Sequence, residues 1–241
     1  MALPVVATPE HTISLYSYKQ PITFRPFLVK EEKLLLMALE SRQSDVMATA
    51  MKQIIKSCII APKDINVDIL PIFDIEYLFL NLRVRSVGEV LELNLSHPTS
   101  ECEAKTPYKL NLSDITIEEQ ANHNAKIMIT DDIGVMMRYP GLREMTEFEK
   151  ADEKNTNKIF KLLSDSILNI FDKEEVYERG THSDKEFEDF LNSLNQDQFS
   201  RVLEFYQTMP KLAHTVEWTC ETCGKKDSLR LEGMQSFFLY V

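Results

Sequence analysis

At Gly88 the apolar spacing of this chain changes from helical to strand-like, and that switch limits the folds open to it. Before Gly88, Leu34, Leu35, Met37, Ala38 and Leu39 share a broad apolar face over Glu31–Glu40, with Glu31 and Glu32 at the end of a helix that favours negative charge. A second helix is predicted from about Ser44, carrying Met47, Ala50, Met51, Ile54, Ile55, Cys58 and Ile59 and ending at Pro62. A third opens at Leu70-Pro-Ile-Phe-Asp74, with Asp74 as its expected N-cap and Tyr77, Leu78, Leu80, Leu82 and Val84 behind it. After Gly88 the period is two: Leu91, Leu93 and Leu95 alternate with Val90, Glu92 and Asn94. A loop from Ser96 to Pro107 returns into Tyr108–Leu112 with the same alternation, which predicts a hairpin.

Short strands are expected at Ile22–Val29, Ala125–Thr130 and Gly134–Tyr139. From Leu142 to Met209 the pattern is helical again, with one stripe through Ile159, Leu162, Leu163, Ile167, Ile170 and Phe171. Ser183-x-x-Glu186 and Asn195-x-x-Gln198 have the spacing of capping boxes, and Pro210 stops the last helix. The tail is predicted to be β, at His214–Thr219, Leu229–Leu231 and Phe237–Tyr240. Helices and strands therefore come in blocks rather than in alternation, and the expected class is α+β. The segments are an extended arm over 1–20, an α+β region with the central hairpin over 21–140, a helical region over 141–210 and a C-terminal β-hairpin over 211–241.

The start of the chain lacks the basic and apolar regions of a signal peptide, and no run of apolar residues is long enough to span a membrane. The formal charge of −11 argues against a chain built to grip phosphate backbones. With only 6 glycines there is little material for a phosphate loop, and no dinucleotide-binding or P-loop motif occurs. No H-E-x-x-H or G-x-S-x-G occurs either. Asp131-Asp132 reads as turn chemistry, and the acidic blocks Glu147–Glu153 and Asp184–Glu188 as solvated helix faces. Nothing in the sequence points to catalysis.

The 4 cysteines are too few for a secreted disulfide scaffold. Cys220-Glu-Thr-Cys223-Gly224 lies between two strands, the setting of a zinc knuckle, where a glycine after the second thiolate lets backbone amides turn toward sulfur. A redox C-x-x-C would need a helix starting at the first cysteine, and none is expected. Zinc needs four ligands and this pair supplies two. Cys58 lies on an apolar helix face and reads as an inert buried thiol. Cys102 sits at the tip of the first hairpin near His97, and the two hairpins are weakly alike. If they pack tip to tip, His97, Cys102, Cys220 and Cys223 form a Cys₃His site for one structural zinc. The alternatives are a degenerate site without metal, or two chains of a homo-oligomer sharing their C-x-x-C pairs.

Several of these segments together resemble the baseplate hub assembly and structural proteins of T-even-like contractile-tailed phages. Ile69-Leu-Pro-Ile-Phe-Asp-Ile-Glu-Tyr-Leu, continuing through Arg83 and Arg85 to Ser86-Val-Gly88, is similar to a signature of that family. The hairpin after it, the strand Gly134-Val-Met-Met-Arg-Tyr-Pro140, and Thr219-Cys-x-x-Cys-Gly224 with Gly233-Met-Gln-Ser-Phe-Phe238 resemble it too. In that family the first hairpin often carries its own C-x-x-C; here that position reads Ser100-Glu101-Cys102-Glu103, which speaks against a four-cysteine zinc site and turns attention to His97 as a substitute ligand. The resemblance implies a non-enzymatic structural or assembly part of the tail baseplate, partnered by other baseplate and hub proteins, located in the virion tail or in the host cytoplasm during assembly. The apolar end, with Phe237, Phe238 and Tyr240, reads equally as an interface patch or as a core strand. A zinc-knuckle nucleic-acid-binding or regulatory protein is the alternative, motivated by Cys220, Cys223, Lys225 and Lys226, with the acidic balance against it.

Overall fold

The computed structural model describes residues 6–97, 102–149 and 156–238. In chain order the elements are β1 (His11–Ile13), β2 (Ile22–Phe24), α1 (Val29–Ser41), α2 (Ser44–Cys58), β3 (Ile59–Ala61), α3 (Ile72–Ser86), β4 (Val90–Ser96), β5 (Lys105–Asn111), β6 (Thr116–Glu118), β7 (Lys126–Met128) and β8 (Gly134–Met137). There follow α4 (Leu142–Glu149), α5 (Thr156–Asp165), β9 (Ile167–Phe171), β10 (Val176–Glu178), α6 (Asp184–Ser193), α7 (Gln196–Thr208), β11 (Lys211–Thr219), β12 (Lys226–Glu232) and α8 (Gly233–Phe238). The class is α+β, and the strand pairings described are antiparallel. Two compact units divide the chain: Met1–Glu118 joined by Lys211–Val241, and Glu119–Pro210. No helix among the described residues is long and apolar enough to cross a membrane.

The first unit is built around α3. Phe73, Ile75, Leu78, Phe79, Leu80, Leu82 and Val84 are all buried, so this helix is apolar on nearly every side and takes the central place such helices require. It packs against α2, β11 and α8. Asp74 is not its N-cap. Pro71 holds that position, and the fully buried Asp74 carboxylate turns outward from the helix to accept the Tyr16 amide at 2.8 Å, the Ser17 amide at 3.0 Å and the Ser17 hydroxyl. Burial pushes this carboxyl up, and the bonds from Ser17 and Tyr16 oppose it. The N-terminal stretch is thereby tied to α3, and its β1 pairs with β2, which in turn pairs with β3.

The two hairpins foreseen in this unit are present. β4 pairs with β5 from Val90↔Asn111 to Ser96↔Lys105, burying Leu91, Leu93 and Leu95 on one face. β11 pairs with β12 from Ala213↔Glu232 to Thr219↔Lys226, and β6 completes that sheet on the other edge of β11. Residues 233–238 after β12 form a helix where a strand is expected from Phe237. Gly233, at φ +70°, turns the chain into the short α8, and Phe237 is fully buried within the unit. The side chain of Phe238 and all of Tyr240 lie outside the described residues.

The second unit is a four-stranded sheet, β10-β9-β8-β7, with helices α4 to α7. Ile129, Val135, Met137, Leu163, Ile167, Phe187, Leu191, Val202 and Phe205 form its buried core. The continuous helical stripe expected over Ile159–Phe171 breaks at Asp165. Ile167–Phe171 is instead the strand β9, pairing with β8 on one side and β10 on the other. Positions 167, 170 and 171 fit helical spacing, but the ladders offered by the two neighbouring strands decide for β. Asp172 makes the turn, its carboxylate accepting the Glu174 and Glu175 amides at 2.8 Å. Both capping boxes are formed, at Ser183 with Glu186 and at Asn195 with Gln198.

Candidate metal centre

Strand alternation brings the four donors to one end of the paired hairpins. His97 follows β4 directly, Cys102 precedes β5, and Cys220 to Lys225 form the turn between β11 and β12. That turn is closed by the Cys220 amide donating to the Lys225 carbonyl and the Gly224 amide donating to the Cys220 carbonyl, both at 2.9 Å. Gly224 sits at φ +70°, which suits a residue without a Cβ. The reversal aims the Cys223 and Thr222 amides at the Cys220 sulfur. A further bond joins the two hairpins: the Glu221 amide donates to Thr106 Oγ1 at 3.4 Å.

The ligand-capable atoms of His97, Cys102, Cys220 and Cys223 all lie within 4.8 Å of one another. Cys102 Sγ and Cys220 Sγ are 3.8 Å apart, and Cys223 Sγ is 3.3 Å from His97 Nε2. All three thiols are free, and 3.8 Å is far beyond the roughly 2.05 Å of a disulfide. It does match the edge of a tetrahedron around zinc, which is about 3.8 Å when each sulfur stands about 2.3 Å from the ion. Spacing, donor number and donor chemistry all fit a closed tetrahedral site.

The surroundings favour an anionic sulfur at Cys220 and a directed imidazole at His97. The Cys220 thiol is drawn down to about 6, first by the Cys223 amide and then by the Thr222 amide, Cys223 and His97, against desolvation. For Cys102 the Ala104 amide pulls downward, but desolvation and the Cys220 and Cys223 thiols leave it above its ordinary value. His97 is raised chiefly by its bond to Asp227, then by Cys220 and Cys223. Asp227 Oδ2 lies 3.1 Å from His97 Nδ1, and the His97 ring stacks on Trp218 at 4.8 Å. Neither Asp227 nor Trp218 stands out in the sequence. Their cross-strand pairing, Trp218↔Asp227, is the signal that would have found them.

Cys58 is elsewhere and fully buried, its thiol pushed up to about 11 by desolvation, with Arg25 Nη1 3.7 Å from the sulfur. Asp131-Asp132 belongs to the β7–β8 turn, where Thr130 Oγ1 accepts the Asp132 and Ile133 amides. His123 and His182, without visible partners in the sequence, hydrogen-bond to Thr208 and Tyr139, and to Thr181 and Glu178, respectively.

Residues 8–239 match the family model described as T4 bacteriophage base plate protein. No curated protein and no solved structure matches the chain.

Proposed function

The chain belongs to the T4 bacteriophage base plate protein family, and from that premise we propose that it is a structural or assembly part of the central hub of the tail base plate. It works through contacts with other base plate and hub proteins and turns over no substrate. The observation that carries this reading is the extent of the family match, which takes in both units of the chain. The formal charge of −11 supports protein surfaces rather than nucleic acid as its partners. Its site of action is the tail base plate, in the virion or during assembly in the host cytoplasm.

The donor cluster supports a structural rather than catalytic centre. His97, Cys102, Cys220 and Cys223 would hold one zinc ion and fill all four positions, leaving none for a reacting water. Bound zinc supplies a redox-inert cross-link between the two hairpins. The protein's part is to keep four donors converged from segments far apart in sequence.

Two measurements test the reading. Phage lacking this chain should yield incomplete base plates by electron microscopy, and the tagged protein should co-purify with hub proteins; normal tails without it would end the proposal. Elemental analysis of the purified chain should find roughly one zinc per molecule, lost in Cys220→Ser. Fully folded, metal-free protein would remove the zinc from the account and leave the assembly role to the first test.

A further inference from the structure

We propose that Asp227 is the outer carboxylate of the metal centre, and that it, with Trp218, selects the imidazole nitrogen that His97 presents to the ion. The inference rests on the metal centre described above and goes beyond its four donors. The His97 side chain is only 1% exposed, so its ring nitrogens must find partners inside the protein. Nδ1 has Asp227 Oδ2 at 3.1 Å. An ionised carboxylate only accepts, so Nδ1 carries the hydrogen, and in the neutral imidazole that a metal requires the lone pair is then on Nε2. Nε2 is the nitrogen that points into the cluster, 3.3 Å from Cys223 Sγ.

Trp218 fixes the plane of the same ring, stacked at 4.8 Å with 29° between planes. It can do so because Trp218 and Asp227 face each other across β11 and β12 in a register pair. One rung of the C-terminal hairpin therefore grips both a face and an edge of a histidine that follows the other hairpin's first strand. This is the arrangement in which a carboxylate orients a metal-bound histidine and raises its basicity. It accounts for a single histidine standing in a set of three cysteines: the thiolates need no chosen tautomer, and the imidazole does.

The test is zinc affinity of the full chain, measured by competition with a chromophoric chelator, with cobalt spectra reporting the donor set and circular dichroism reporting the fold. Asp227→Ala is expected to weaken zinc binding about tenfold to a hundredfold. Asp227→Asn, which still accepts from Nδ1 but without charge, should fall between. In a His97→Cys background the fourth ligand has no tautomer to choose, so adding Asp227→Ala should leave affinity unchanged. Equal affinity in Asp227→Ala and the unaltered protein would overturn the inference while leaving the metal centre intact. So would an equal loss from Asp227→Ala in both backgrounds, since that marks general packing. Failure of the unaltered chain to take up zinc or cobalt would overturn the centre and the inference together.

Discussion

His123 is held at both edges of its ring. Thr208 Oγ1 donates to the Glu204 carbonyl at 2.8 Å, so at 3.0 Å it accepts from His123 Nδ1–H. Nε2 then accepts from the Tyr139 hydroxyl at 3.0 Å. Desolvation pushes His123 below its ordinary value and so favours the neutral imidazole in which Nε2 accepts from Tyr139. The folded state thus binds fewer protons here than the unfolded state, and the contribution is full above the unfolded value and lost as pH falls below it. Lowering the pH from about 7.5 to about 5.5, across the ordinary histidine value near 6.5, should destabilise the chain by more in the unaltered protein than in His123→Gln. Paired urea titrations read this directly, and equal losses in the two proteins would contradict it. Residue by residue, the sequence was most informative where one side chain acts alone, as with the buried Cys58. It was least informative where an acceptor such as Asp227 or Thr208 arrives from an element distant in sequence.

Among the elements, β8 shows how a single position governs a sheet. A Cβ on Gly134 would overlap the Phe171 ring of the paired strand β9 and approach the Ile127 carbonyl oxygen to 2.9 Å. Gly134→Ala is therefore expected to cost about 1–3 kcal/mol through forced movement of the sheet. Denaturant unfolding would show it as a lower midpoint with an unchanged slope; an unaltered midpoint would mean that Phe171 moves aside freely. The capping boxes at Ser183 and Asn195 were legible because their chemistry is confined to four consecutive residues. The strand β9 and the helix α8 were not. In each case the local spacing of a short apolar run points to one element, and the neighbours that decide for the other come from other parts of the chain.

At the scale of the whole molecule, the first unit is assembled from two stretches separated by the entire second unit, Glu119–Pro210. The candidate centre joins those two stretches, with His97 and Cys102 on one and Cys220 and Cys223 on the other. A metal that binds only where these donors are already converged stabilises the folded first unit by its own binding free energy. Removing the metal with a strong chelator should accordingly expose amides of β4, β5, β11 and β12 to hydrogen exchange, while the core of the second unit around Val135, Ile167 and Phe205 keeps its protection. Equal loss in both units, or none in either, would count against a metal that staples the first unit alone.

The block order of periodicities, the hairpin between Gly88 and Leu112, the helix caps and the C-x-x-C turn were all determined by the sequence on its own, because each depends on residues within one or two turns of chain. The order of those motifs also carried the resemblance that the family match bears out. Tertiary structure alone decided that Asp74 anchors the N-terminal stretch instead of capping a helix. It alone decided that Ile167–Phe171 is a strand, and that three thiols and one imidazole converge with Asp227 behind them. Those outcomes depend on partners that lie outside the local stretch, from a neighbouring strand to residues 130 positions away, which packing and strand pairing fix and local spacing does not encode.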